Sequence, residues 1–235
     1  MYGNGMRDFQ AILAAQGVPV GNFLEIGSRD GNDAREFAEA AGIDKVFIIE
    51  PSPGSYREIV SAHPKFKVFR MALSNYEGTG RFFDVVEADL IKRGMSSLMS
   101  RDVYGNLRTN EIEVPVCTGA SFLKTHGLEA VTACKIDVEG HAYEVLEGFG
   151  PDLSRLWSLH VECELVPVWD GQKLYRDVHA LLEGAGFTRL HYWEFNDGVQ
   201  CDSVWIQPSK AVAPPIWQAL SNRVRKVFRR KHRAA

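Results

Sequence analysis

The chain has 235 residues, 45% of them hydrophobic, enough for one full core and too few for two ordinary domains with a linker. Its net charge of −3 is unevenly placed: seven of the 27 basic residues fall within residues 223 to 233, leaving residues 1 to 222 with 20 basic against 30 acidic side chains, a net of −10. An acidic body argues against nucleic acid as the partner, because phosphate neutralisation needs a basic face on the domain. The four cysteines (117, 134, 163 and 201) show no paired spacing, and three lie in apolar runs, as reduced core thiols do. No apolar run reaches the roughly 20 residues of a membrane span, and the first residues lack the order of a signal peptide. The expectation is a cytoplasmic protein.

In chain order, "NFLEIG" reads as a strand, "DAREFAEAAG" as a helix closed by Gly42, "KVFIIEP" as a strand, "GSYREIVSAH" as a helix and "FKVFRMAL" as a strand. Between residues 74 and 130 come a turn at "SNYEG", a strand pair around "RFFDVVE" and "EIEVPV", and "GMSSLMS" as exposed loop. A second set follows: "TACKIDVEG" strand, "HAYEVLEGF" helix, "LWSLHVECEL" strand, "LYRDVHALLEGAGF" helix, then "RLHYWEF" and "SVWIQPS" as a closing pair. Strands apolar on both faces and alternating with helices predict a doubly wound, mostly parallel α/β sheet closed by an antiparallel strand. The domain is predicted over residues 1–213. Pro214 and Pro215 then introduce a basic stretch, residues 214–235, whose Ile216, Trp217, Leu220, Val224, Val227 and Phe228 recur at helical spacing. That pattern suits a helix lying on an anionic membrane surface, and equally a stripe packed on the domain with a solvated end.

Ligands of such sheets sit at the carboxyl ends of the strands beside the first one. There the chain reads "EIGSRDG", a Gly-x-x-x-Gly loop made by Gly27 and Gly31, without the third glycine that a pyrophosphate needs. Glu50 ends the second strand 23 residues after Gly27, where a carboxylate can accept both ribose hydroxyls. The combination points to a nucleoside ligand without phosphates, of which S-adenosylmethionine is the commonest. Taken alone, the glycine loop is equally a structural turn.

The stretches "FLEIGSRDGNDAREF", "VFIIEPSPGSYREI", "MALSNYEGTGRFF", "SSL" and above all "CKIDVEGHAYEVLEGF" with "LHVECE" occur in order between residues 22 and 165. In these the chain resembles the FkbM-type methyltransferases. The resemblance implies a class I, Rossmann-like methyltransferase fold with a seven-stranded sheet, S-adenosylmethionine as methyl donor, and O-methylation, often of sugar hydroxyls in glycans or glycosylated metabolites. It implies cofactor contacts from Glu25, Gly27, Ser28, Asp30, Gly31, Glu50, Pro51, Ala72, Leu73, Ser97 and Asp137. The family more usually carries Asp where Glu25 stands, Ala-Asn at Ser28-Arg29 and an acidic residue near Ala120.

Methyl transfer from a sulfonium is an in-line displacement, and a sugar hydroxyl needs a base, or a cation beside its oxygen, to react. Asp137, Glu139 and His141 cluster after the fourth main strand, and Glu162 and Glu164 alternate at the end of the fifth. Asp137, Glu139, His141 and Glu162 are the catalytic candidates. Asp137, Glu162 and Glu164 are candidate ligands for a divalent cation such as Mg²⁺ through carboxylate oxygens. Structural readings stand beside these. Glu139 also suits a helix start, His141 an exposed first-turn position, and His160 a hydrogen-bonded core site. Ser96 and Ser97 read as ordinary loop or as a lid, and Trp169 as core or as a stacking surface for a sugar. Arg81, Asp84, Glu87, Asp89, Lys92, Arg93 and Arg101 favour a polar acceptor over a phenolic or polyketide one. A non-catalytic nucleoside-binding protein is the remaining alternative, against which the strand-end carboxylates speak.

Overall fold

The computed structural model describes residues 5–86, 94–100 and 108–211. The tail at 214–235, and with it Trp217, lies outside the described residues, as do Glu87, Asp89, Lys92, Arg93 and Arg101. Helix α1 (Met6–Ala15) leads into β1 (Phe23–Ile26), α2 (Asn32–Ala41), β2 (Val46–Ile49), α3 (Pro53–Ala62) and β3 (Lys67–Phe69). Strands β4 (Ala72–Ser74), β5 (Gly78–Val85) and β6 (Thr109–Thr118) follow, then α4 (Gly119–Thr125), β7 (Ala133–Ile136), α5 (Ala142–Phe149) and β8 (Ser158–Glu164). The described chain closes with α6 (Tyr175–Gly184), β9 (Thr188–Phe195) and β10 (Gln200–Ile206).

Seven strands form one sheet in the order β3-β2-β1-β7-β8-β10-β9. The pairs from β3 to β8 are parallel, and β10 runs antiparallel to both β8 and β9. The apolar runs account for this. Each of β1, β2 and β7 is four residues long and buried throughout, which requires a helix layer on either face. Leu24, Ile26, Phe47 and Ile49 pack with Phe122 of α4, Phe149 of α5 and Leu182 of α6. On the other face Phe23, Val46 and Ile48 pack with Phe9 and Leu13 of α1, Phe37 of α2 and Ile59 of α3. Phe23 and Phe37 stack with ring centroids 4.4 Å apart, a side-chain burial worth roughly 1.5–3 kcal/mol each. Helix α1 carries no expectation from the sequence reading, and it covers this face.

Local signals set the helix ends. Ser52 Oγ accepts the Ser55 amide and Pro53 occupies the first turn of α3. Gly42, at φ 67°, closes α2 in the left-handed region that glycine adopts without steric cost.

Two expectations are corrected. "FKVFRMAL" is not one strand: β3 ends at Phe69, and Ala72–Ser74 pairs instead with β6 in a second sheet of order β4-β6-β5. The partner strand β2 stops at Ile49 and Glu50 turns into the cleft, so the edge offers no ladder beyond Phe69. "GMSSLMS" is not exposed: Ser97 is buried and bridges to Phe83 of β5. The strand pair expected around "RFFDVVE" and "EIEVPV" is β5 against β6, antiparallel from Gly78↔Val116 to Val85↔Thr109. All four cysteines are free thiols, and among the described residues no helix is long and apolar enough to cross a membrane.

Candidate active site

A cleft of about 530 Å³ opens at the carboxyl ends of β1, β2, β7 and β8, roofed by residues 94 to 98 and by Phe82 of the small sheet. Of the predicted cofactor residues all but Gly31 line it. Glu25, the third residue of β1, is 1% exposed, and its Oε2 is buried without a hydrogen-bond partner. Burial pushes its pKa up to about 8, against the pull of the Lys135 cation. Gly27 has φ +79°, and a Cβ there would lie 1.8 Å from the Asp137 carbonyl oxygen. The glycine is therefore demanded by the close approach of β7 as well as by any ligand. Ser28 Oγ accepts the Gly31 amide at 3.1 Å and Asp30 Oδ1 accepts the Asn32 amide at 3.0 Å, so both side chains shape the loop that starts α2. A Cβ on Gly31 would press on His63 at 2.7 Å, away from the cleft.

Glu50 draws both sides of the cofactor loop together. Its Oε2 accepts the Ser28 amide at 2.9 Å and its Oε1 the Ser52 amide at 2.7 Å. Burial still raises it to about 8, with the two amides pulling the other way. Pro51, Ala72 and Leu73 form the adjoining apolar wall.

At the other end of the cleft, Lys135 was missed from the sequence, although a lysine in a four-residue apolar strand is itself a signal. Its Nζ lies 2.6 Å from Asp33 Oδ2, 2.9 Å from Asp137 Oδ2 and 3.9 Å from Glu25 Oε1. Burial would take its proton away, but Asp137, Asp33 and Glu25 outweigh that and hold it charged. Asp137, Glu139 and Glu162 each bring one carboxylate oxygen within 4.8 Å of the others. Glu162 is raised well above the usual range first by burial and then by Asp137, Glu139 and Asp202. Gln200 Nε2 donates to its Oε1 at 2.9 Å.

Glu164 stands apart from this group, contrary to the expected ligand set. Its oxygens accept Trp169 Nε1 at 3.3 Å and Gln172 Nε2 at 3.0 Å, and it does not line the cleft. Glu139 takes its place because the turn after β7 carries Glu139 at φ 50° and Gly140 at φ 86°. Ser97 Oγ holds that turn by donating to the Glu139 carbonyl at 2.6 Å. Trp169 is 5% exposed, its ring set where a Gly140 Cβ would be 2.3 Å away, which leaves no face for a sugar.

His141 lines the cleft but is 8% exposed, so the solvent-exposed reading does not hold. Its Nε2 lies 2.9 Å from Ser74 Oγ and its Nδ1 3.6 Å from Glu144 Oε2. Burial lowers its pKa to about 4, leaving it neutral near pH 7. Its Nδ1 is buried without a hydrogen-bond partner. His160 is buried on the α1 face, its Nδ1 3.9 Å from Asp202 Oδ1 and its ring 5.6 Å from Phe9.

The sheet order with one antiparallel insertion, and a cleft suited to a nucleoside at the end of β1, define a class I methyltransferase architecture. The profile of the Methyltransferase FkbM domain matches residues 25–189, and the chain belongs to that family. It is 24% identical over 189 residues to the 2-O-methyltransferase NoeI of Sinorhizobium fredii, covering 76% of this chain and 78% of that one. Among solved structures it is similar to magnesium protoporphyrin IX methyltransferase from Synechocystis with bound S-adenosylmethionine, at 11% identity and a TM-score of 0.48, over 85% of this chain and 76% of that one. Fibrillarin from Aeropyrum pernix, with natively bound S-adenosyl-L-methionine, is similar at 10% identity and a TM-score of 0.47, over 83% and 73%. The protein is an S-adenosylmethionine-dependent methyltransferase. Its residues fit the cofactor: the unpartnered Glu25 Oε2 suits a cationic amine, and Glu50 suits a ribose diol.

Proposed function

We propose that the enzyme methylates a hydroxyl of a sugar, in a glycan or a glycosylated metabolite, with Glu162 taking the hydroxyl proton. The observation that carries this reading is the trio of carboxylate oxygens within 4.8 Å at the ends of β7 and β8, facing the same cleft as the cofactor residues. The cofactor supplies an electrophilic methyl group. What this chain must do is hold an acceptor oxygen in line with that methyl and remove its proton as the bond forms. Asp137 Oδ2 lies 2.9 Å from Lys135 Nζ, and burial, with the charges of Asp137 and Glu139 after it, raises Glu162 and suits it to accept a proton. The 2-O-methyltransferase relative supports a hydroxyl acceptor.

A second reading rests on the same trio, since Asp137, Glu139 and Glu162 are also a ligand set for a hard divalent cation such as Mg²⁺. One experiment separates the two. The enzyme is assayed on glycans extracted from cells lacking the gene, following the gain of one methyl mass by mass spectrometry. Glu162→Gln should cost about 100-fold or more in rate, and EDTA should leave the native rate unchanged. A loss in EDTA that Mg²⁺ restores would install the cation, and methylation of phenols but of no glycan would replace the sugar.

A further inference from the structure

Asn196, in the turn between β9 and β10, lines the cleft, and the turn itself holds none of the residues assigned above. Asn196, Asp197 and Gly198 follow one another at φ 49°, 52° and 80°. Three successive left-handed residues fix the turn in one shape. It is tied to the end of β8 by the Leu165 amide, which donates to the Val199 carbonyl at 2.8 Å. Phe195, Asn196 and Gln200 all line the cleft; Phe195 is half-buried and Asn196 exposed. Phe195 and Gln200 are direct partners across the two strands.

A chain of amides runs from this turn to the carboxylate trio. Gln200 Nε2 donates to Glu162 Oε1 at 2.9 Å, and Asn196 Nδ2 donates to Gln200 Oε1. The glutamine thus presents its NH₂ group to Glu162 and its oxygen to Asn196. The Asn196 Oδ1 takes no part in the chain, and the neighbouring Phe195 lines the cleft half-buried.

We propose that this turn is the acceptor-recognition element: the Phe195 ring is the platform for the apolar face of a pyranose, the Asn196 amide bonds a ring hydroxyl, and Gln200 keeps both in register with Glu162. The proposal rests on the sugar reading and deepens it. Carbohydrate sites combine an aromatic face for C–H groups with planar side-chain amides for hydroxyls, and Phe195, Asn196 and Gln200 supply both within six residues of chain. A flat phenolic acceptor would use the ring but has little need of the amides.

The test is saturation-transfer NMR on the full chain with S-adenosylhomocysteine present, using methyl α-glycosides of rhamnose, fucose and mannose as probes. The native protein should contact at least one of them. Phe195→Ala should weaken that contact at least tenfold, and Phe195→Tyr should restore it. Asn196→Gly, which removes the amide without straining the turn, should weaken it three- to tenfold even if Phe195→Ala fails to fold. S-adenosylmethionine affinity, by calorimetry, should stay within twofold in each folded variant. Glycoside binding that persists unchanged in Phe195→Ala or in Asn196→Gly overturns the assignment of the turn and leaves the sugar reading standing. Binding of none of the glycosides by the native protein overturns both.

Discussion

Glu50 is a carboxyl group whose hold on its proton is strengthened by burial. At about 8 its folded value lies above the value of 4.5 for the free side chain, so between those limits the native state holds a proton that the unfolded chain has released. Glu25 behaves the same way. Stability from these groups is therefore present at low pH and lost as pH rises toward 8. His141 has the opposite sign, with a folded value of about 4, but its contribution is lost only below the free value of 6.5. Above that point the carboxyl groups decide. The cofactor-free protein should lose about 1–2 kcal/mol per group between pH 6.5 and 8, read as a falling urea midpoint, and Glu50→Gln, which cannot ionise, should flatten the fall. A midpoint independent of pH over that window would show Glu50 and Glu25 already ionised. Glu50 was legible in the sequence by its place at the end of a strand. Its bonds to the Ser28 and Ser52 amides were not, because they depend on how two loops meet. Lys135 was passed over because its three carboxylate partners come from β1, α2 and the residue just after its own strand, and no spacing announces them together.

Among the elements, the turn between β7 and α5 concentrates the constraints of the site. Gly140, at φ +86° with the Trp169 ring against its α-carbon, has no room for a methyl group. Gly140→Ala should cost about 2 kcal/mol or more and lower turnover, whereas Gly21→Ala, with nothing within 4 Å of the added carbon, should be close to neutral in thermal melts. Equal melting of the two variants would mean that the turn relaxes freely. The alternation of strands and helices was legible throughout, because buried strands and amphipathic helices differ in period. Where periodicity gave out, the reading lapsed. "FKVFRMAL" contains no Gly, Pro, Asn, Asp or Ser to mark a turn, and only the end of β2 reveals that the chain changes sheets there. The same limit applies to the carboxylates: "VEG" and "VECE" showed that acids gather at the strand ends, but the left-handed turn at Glu139 decides which of them meet.

For the molecule as a whole, we propose from the sequence that residues 214–235 give the enzyme an address on anionic membrane, as an enzyme of lipid-linked or nascent glycans would need. The full chain should float with vesicles rich in acidic lipid, release in high salt, and fail to float when cut after Ala213. Equal behaviour of full-length and truncated chains removes the idea. The order of the sheet carries a different consequence, for synthesis. Strand β1 sits between β2 and β7, and the contact that seats it beside β7 joins Asn22 to Thr132, 110 residues later. At about 5–20 residues per second, a ribosome needs on the order of 5 to 20 seconds to deliver that partner. Throughout that interval the nascent chain carries its future central strand as an open edge, apolar on both sides, which is the surface that pairs wrongly with other chains. The protein's yield in a cell should therefore depend on what shields β1 while residues 27 to 132 are still being made.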